Sequence, residues 1–155
     1  MGPLKIGIAG LGHVGCGLIE LVERQDKLRL PGRVEIAGVS ARSKSRNRPV
    51  DTDKYRWFDD AATLAEDADV DVFIELIGGS DGPAKFAVES ALKAGKHVIT
   101  ANKALMAKHG MALASLAEEK ASTSCSKRRS QAASRSCACS ATALPGSRSS
   151  VLRAS

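Results

Sequence analysis

Acidic residues are absent from the last 35 positions of the sequence, and aromatic residues are scarce throughout, with one Trp, one Tyr and three Phe. Residues 121–155 hold six basic residues and eleven serines, whereas residues 1–120 balance 17 basic against 17 acidic residues. The formal net charge of +6 therefore belongs to the C-terminal segment and does not indicate nucleic-acid binding by the remainder. Such a segment buries too little apolar surface to offset its ordering entropy. We predict a domain at 1–120 and a disordered, basic, Ser/Arg/Ala-rich tail at 121–155.

Cysteine spacing argues against a metal-binding protein, and the lack of long apolar runs argues against a membrane-spanning one. Cys16 is the single cysteine before residue 121, and the three in the tail form no CxxC pair, so we predict no metal site. No apolar run approaches the ~18 residues that a membrane span needs, and no secretion signal is recognisable. The chain is predicted to be soluble and cytoplasmic, with neither a membrane nor a nucleic acid as its partner.

Short apolar runs alternate with amphipathic stretches along residues 1–120, which predicts an α/β domain. We predict strands at 4–9, 34–39, 55–58, 70–77 and 97–100. Helices are predicted from Val14 onward and at 59–67, 83–94, 104–109 and 111–120, the last two being separated by Gly110. This alternation implies βαβ units whose right-handed crossovers place helices on both faces of a parallel sheet. We expect a Rossmann-like sheet that is incomplete at its C-terminal side.

A glycine pattern, GLGHVG at 10–15, follows the first strand and opens the first helix. In this context Gly10 allows a tight turn, Gly12 lets a pyrophosphate approach the backbone, and Gly15 lets the helix lie close to the strand. Free N–H groups at the helix N-terminus complete an anion site. We predict pyrophosphate binding by Gly10, Leu11, Gly12, His13, Val14 and Gly15. A glycine turn without a ligand is the alternative, and His13 either contacts phosphate or faces solvent.

Cofactor preference depends on the residues that follow the second strand. NAD sites usually have Asp or Glu there, whereas this chain has SARSKSR at 40–46, with three cations and three hydroxyls. Arg42, assisted by Ser40, Ser43 or Lys44, suits the 2′-phosphate of NADP. We predict NADP as the cofactor, with NAD possible. The alternative is a solvated basic loop without a ligand.

Two further stretches, ELIGG at 75–79 and GKHVITANKALMAKHG at 95–110, extend this pattern. Together with the glycine loop they resemble the N-terminal cofactor domain of homoserine dehydrogenase. The resemblance covers residues 4–120, and TANK at 100–103 is its most specific part. It implies an enzyme that interconverts L-homoserine and L-aspartate 4-semialdehyde with NAD(P), in the biosynthesis of threonine, methionine and isoleucine.

The resemblance also implies roles for individual residues. Gly78 and Gly79 would border the nicotinamide ribose, and Lys103 would be a catalytic residue near nicotinamide and substrate. A lysine there suits orientation of a substrate oxygen or assistance to proton transfer. The alternative for Lys103 is an ordinary surface lysine, although a cation at the positive end of a helix is locally unfavourable. The role of Glu75 stays open.

In this family a substrate-binding and dimerising domain follows, and members are homo-oligomers. Codons can be chosen for residues 126–145 that, read from their third base, give EAAVAGGIPVVRLLRDGLA, which is similar to the family's next segment. We therefore expect the tail to be a frameshift product, and the truncated chain to have no turnover. The competing interpretation is a natural basic tail that binds acidic partners.

Two other functions are compatible with the sequence. One is another amino-acid dehydrogenase, such as an aspartate dehydrogenase-like protein, against which the TANK stretch argues. The other is a non-catalytic NAD(P)-binding or regulatory module, which would bind cofactor without turnover.

Overall fold

A computed structural model describes residues 2–25 and 32–131, which form one parallel sheet with flanking helices. The strands are β1 (Leu4–Ala9), β2 (Val34–Ser40), β3 (Trp57–Phe58), β4 (Val72–Glu75) and β5 (His97–Thr100). The main helices are α1 (His13–Glu23), α2 (Ala61–Glu66), α3 (Pro83–Lys93) and α4 (Lys103–Gln131). The strand order is β3-β2-β1-β4-β5, and every pair is parallel. The predicted α/β fold is confirmed.

Helices pack on both faces of the sheet. Because successive side chains of a strand point to opposite faces, the strands contribute to two core clusters. Ile6 and Ile8 of β1 join a core cluster with Ile19 of α1. On the other face, Phe73 of β4 packs in a cluster with residues of α2, α3 and α4, among them Leu105. Fully burying a side chain of this size contributes about 1.5–3 kcal/mol, so these two clusters account for much of the stability of the fold.

Two predicted elements are shorter in the structure for reasons that lie in their side chains. The helix predicted at 59–67 spans Ala61–Glu66, because the Asp60 carboxylate accepts a hydrogen bond from Thr63 N (3.3 Å) and so caps its N-terminus. The strand predicted at 70–77 ends at Glu75, whose own carboxylate accepts a hydrogen bond from Ile77 N (2.7 Å) and draws the chain out of the sheet.

The predicted helix break at Gly110 is wrong, since α4 runs without interruption from Lys103 to Gln131. Gly110 keeps a negative φ there, and one glycine costs a helix interior only about 0.5–1 kcal/mol relative to alanine. Residues 111–131 contain neither Gly nor Pro, which lets the helix pass the predicted domain boundary at 120. Disorder was expected from 121, but 121–131 are helical; the remaining tail, 132–155, lies outside the described residues.

The sheet is open on the side of β5. Within the described ranges β5 pairs with β4 alone, and its Ile99 side chain is 57% exposed. An edge strand presents unpaired backbone groups, and at β5 an exposed aliphatic side chain lies beside them. None of the helices in residues 2–25 and 32–131 has the length and apolar character that crossing a membrane requires.

Candidate functional site

Four loops meet at the carboxyl edge of the sheet, one after each of β1, β2, β4 and β5. The strand order reverses at this edge, because β1 continues to β2 on one side and pairs with β4 on the other. Open α/β sheets bind ligands in the crevice at such a reversal point. The loop after β1 lies in the middle of this edge.

Gly10 makes the turn that follows β1, and only glycine fits its position. Its φ is +103°, and a Cβ would collide with the backbone carbonyl of Leu76 and lie 2.8 Å from Ile77 N. Its N–H donates to Ser40 O at 2.8 Å. The turn is therefore held between the end of β2 and the loop after β4.

The N-terminus of α1 faces open space. Gly12 is the N-cap, no side chain caps the helix, and a Cβ on Gly12 would meet no atom within 4 Å. In contrast, a Cβ on Gly15 would collide with Gly10 O, which shows how closely the helix approaches the turn. The uncapped N–H groups and the positive end of the helix dipole form a site that suits a phosphate group.

A cleft of about 510 Å³ lies beside this helix end. Its walls come from the loops after β1, β2 and β4 and from the start of α2, and they include Gly10, Leu11, Gly12, Ser40, Arg42, Ser43, Arg46, Arg48, Asp59, Asp60, Leu76 and Ile77. Ser40 is buried and contributes its carbonyl to the Gly10 turn, while Arg42 is exposed in the wall.

The other predicted site residues lie around the cleft rather than in its walls. His13 lines a smaller adjoining cavity of about 220 Å³, Val14 is 66% exposed on α1, and Gly15 is buried against the turn. The Lys44 side chain is exposed and only its carbonyl takes part in the loop, where it accepts a hydrogen bond from Arg48. Gly78 and Gly79, both at positive φ, continue the chain beyond the lining residue Ile77.

Arg48 organises the basic loop, a role that the sequence did not suggest. Its guanidinium donates to Ser43 O (2.6 Å), Arg46 O (3.1 Å), Lys44 O (3.3 Å) and Leu11 O (3.4 Å). It also lies 5.6 Å from the ring centre of Trp57. Arg48 thus fixes the backbone of 43–46 beside the glycine loop. The side chains of Arg42 and Arg46 are exposed in the cleft wall and make no hydrogen bond or ion pair within the described residues.

Glu75 and Asn102 join the loops after β4 and β5. Glu75 is fully buried, and its carboxylate accepts hydrogen bonds from Ile77 N, Gly78 N and Thr100 Oγ1. Asn102 donates from Nδ2 to Gly79 O at 2.6 Å. A polar residue inside an apolar strand was the one sequence signal for Glu75.

Lys103 begins α4, directly after Asn102, at the carboxyl edge of β5. Its side chain is exposed and makes no hydrogen bond or ion pair to the part of the chain that the structure describes. The topology brings it to the same edge as the glycine loop, although it does not line the cleft.

Asp81 ties the loop after β4 to α4. Lys108 Nζ lies 2.7 Å from one carboxylate oxygen, His109 Nε2 lies 2.9 Å from the other, and Ser80 Oγ donates at 2.8 Å. These hydrogen bonds, led by that from Lys108, hold the pKa of Asp81 well below its usual range. The carboxylate is therefore charged at neutral pH.

We expect Asp81→Asn to lower the melting temperature at neutral pH, because the charged form is the one that the fold favours. A carboxyl with a lowered pKa stabilises the fold above its unfolded pKa, near 3.8, and that contribution is lost as the pH falls through the folded pKa. The difference in melting temperature between the variant and the wild type should therefore narrow below about pH 3.8. Melting curves over a pH series measure this, with the exposed Asp53→Asn as control. No gap at neutral pH would contradict the assignment.

No group of three or more His, Cys, Asp or Glu side chains is placed to hold a metal ion in residues 2–25 and 32–131. Of the four cysteines, Cys16 is buried on α1, with its thiol 3.7 Å from Leu11 O.

Comparison with known proteins agrees with this geometry. The family described as "Homoserine dehydrogenase, NAD binding domain" matches residues 10–125. Homoserine dehydrogenase of Pseudomonas aeruginosa is 42% identical over 123 residues, and that of Bacillus subtilis is 38% identical over 122. Each of these alignments covers 77% of this chain and 28% of the relative.

Solved structures show the same similarity. A crystal structure of S. aureus homoserine dehydrogenase has a TM-score of 0.68 and 36% identity, covering 78% of this chain and 32% of that one. Homoserine dehydrogenase from Thiobacillus denitrificans has a TM-score of 0.65 and 29% identity, covering 77% of this chain and 28% of its own. With three quarters of its length matched in sequence and fold, this chain belongs to the family of homoserine dehydrogenase NAD-binding domains.

Proposed function

We propose that this chain is the cofactor-binding part of a homoserine dehydrogenase and that it prefers NADPH to NADH. The uncapped N-terminus of α1 at Gly12, open to a cleft with arginines in its wall, is the observation that supports this most strongly. The whole enzyme would transfer a hydride between nicotinamide and the C4 carbonyl carbon of L-aspartate 4-semialdehyde. The cofactor supplies the hydride chemistry, and the protein supplies orientation and electrostatics.

The residues of the glycine loop fit a dinucleotide. Backbone N–H groups at the start of α1 would bind the diphosphate, and Gly12 leaves room for its oxygens because it has no Cβ. Gly78 and Gly79, after β4, would border the nicotinamide ribose. Lys103, at the same sheet edge, would lie beside the nicotinamide and orient a substrate oxygen.

The basic loop supports the preference for a 2′-phosphate. No acid follows β2, where NAD-binding domains hold the ribose diol. Arg42 and Arg46 are exposed in the cleft wall and uncommitted within the described chain, whereas Arg48 has its donors occupied by backbone carbonyls. Of the acids in the same wall, Asp59 accepts a hydrogen bond from Trp57 Nε1 at 3.0 Å. With Arg42, Arg46 and Arg48 against Asp59 and Asp60, the wall has a net positive charge, which suits a phosphate dianion.

Arg42→Ala is expected to weaken NADPH binding by about 10- to 150-fold, since a hydrogen bond to a charged group contributes roughly 1.5–3 kcal/mol. NADH affinity should change little, because NADH lacks the 2′-phosphate. Titrations of both cofactors into wild type and variant measure this. Arg33→Ala is the matched control, because Arg33 precedes β2 at the opposite edge of the sheet. Equal affinities of the wild type for NADPH and NADH would contradict the proposed preference.

The chain spans about 28% of the length of the curated relatives that it matches, and the matched part is their NAD-binding domain. We therefore expect no homoserine oxidation by the 155-residue chain under conditions in which it binds cofactor. A spectrophotometric assay of NADPH formation from L-homoserine measures this, and turnover well above a blank would contradict the expectation.

We also propose that residues from about 121 onward are a frameshift product, because the alignments with the curated relatives cover 77% of this chain although they cover only 28% of those relatives. The nucleotide sequence from codon 120 onward tests it. An intact gene in which 121–155 is the native frame would rule the frameshift out.

A further inference from the structure

We propose that Glu75, Thr100 and Asn102 form a latch that positions the nicotinamide side of the cleft. The latch links the loop after β4, which carries Gly79, to the end of β5 and the start of α4, where Lys103 lies. This inference rests on the proposed function, because it assigns the nicotinamide half of the cofactor to these two loops.

The first part of the latch is the Glu75 carboxylate at the end of β4. Its Oε1 accepts hydrogen bonds from Ile77 N (2.7 Å) and Gly78 N (3.2 Å), and its Oε2 accepts one from Thr100 Oγ1 (2.6 Å). The side chain is fully buried, and no cation is paired with it in the described residues. Burying a carboxylate is costly unless donors surround it, so a strand built only for stability would have an apolar residue here.

The second part of the latch runs from Thr100 back to the loop after β4. Thr100 Oγ1, which donates to Glu75, accepts a hydrogen bond from Asn102 N at 3.0 Å. Asn102 Nδ2 then donates to Gly79 O at 2.6 Å, while Asn102 Oδ1 accepts from Leu105 N at 3.1 Å and so caps α4. The hydrogen bonds therefore form a closed circuit between the two loops.

This circuit fixes backbone that is otherwise easily moved. Gly78 and Gly79 both have positive φ, and a Cβ on either would meet no atom within 4 Å, so packing does not hold them. The latch holds Gly78 through its N–H and Gly79 through its carbonyl. It also sets the first turn of α4, and Lys103 with it. Glu75, Thr100 and Asn102 are thus positioning residues, and none of them needs to touch the cofactor.

The latch is tested by comparing the binding of the whole cofactor with the binding of its adenosine half alone. Asn102→Asp keeps an oxygen to cap α4 but removes the donor to Gly79. Thr100→Val removes the hydroxyl at nearly constant volume, and Thr100→Ser restores it. The full chain carrying each change is titrated with NADPH and with adenosine 2′,5′-bisphosphate, which lacks the nicotinamide half. Melting curves without ligand show that each variant is folded.

We expect Asn102→Asp and Thr100→Val to weaken NADPH binding by about tenfold and to leave the binding of adenosine 2′,5′-bisphosphate nearly unchanged. Thr100→Ser is expected to restore the affinity for NADPH. A purely structural role would weaken the binding of both ligands together, and this result would overturn the latch. Wild-type NADPH affinity in both variants would also overturn it, with the proposed function intact. A wild-type chain that binds neither ligand would overturn the proposed function and the latch with it.

Discussion

Replacing Gly10 with alanine is expected to lower the free energy of unfolding by roughly 2–6 kcal/mol, enough to unfold much of the population. Two separate costs contribute. The residue has φ of +103°, which L side chains rarely adopt. The new methyl group would also collide with the Leu76 carbonyl, which is backbone and cannot rotate away. Each cost is about 1–3 kcal/mol on its own.

Urea unfolding followed by circular dichroism measures this loss, with Gly17→Ala as the matched control. Gly17 lies in α1, where a Cβ would meet no atom within 4 Å, and alanine is favoured over glycine in a helix by about 0.5–1 kcal/mol. The control should therefore be as stable as the wild type or more so. If Gly10→Ala were equally stable, the turn after β1 would not have the conformation described above.

Replacing Gly12 with alanine is expected to weaken cofactor binding without impairing folding. Its backbone is extended, with φ of −83°, and the space around a Cβ is empty, so the variant should fold. That empty space is where the diphosphate would approach α1. A methyl group there should cost about 1–3 kcal/mol of binding energy, or roughly 5- to 150-fold in NADPH affinity.

The same control serves for this prediction, because Gly17→Ala adds the same methyl group to α1 at a position that does not line the 510 Å³ cleft. Titration of both variants with NADPH, together with their melting curves, gives the comparison. A Gly12→Ala chain that binds NADPH as the wild type does would show that the diphosphate does not lie over the start of α1.

Local sequence patterns were enough to predict the elements that depend on neighbouring residues. The order of strands and helices follows from short apolar runs and amphipathic stretches, and β5 was predicted to the residue. The structure confirms the tight turn at Gly10 and the close approach at Gly15, because each pattern position has one backbone requirement.

The remaining features depend on contacts between residues far apart in the chain. Glu75 and Thr100 become neighbours only because β4 and β5 pair in that register, and Asn102 reaches Gly79 across 23 positions. Arg48 acquires its role from the folded path of the loop, whose carbonyls it bridges. Local helix propensity predicted a break at Gly110 that the structure does not have. A glycine inside a long helix is tolerated when its neighbours are good helix formers.

Binding of the dinucleotide at the start of α1 is the claim on which the proposed function depends, and the single tryptophan allows it to be measured directly. Trp57 lies against Arg48, which itself lines the cleft, so the fluorescence of Trp57 should report a bound cofactor. Titration of NADPH into the 155-residue chain is predicted to quench Trp57 saturably, and Gly12→Ala should shift the curve to higher concentration. No saturable change, in a chain whose circular dichroism shows intact helices and strands, would contradict the account.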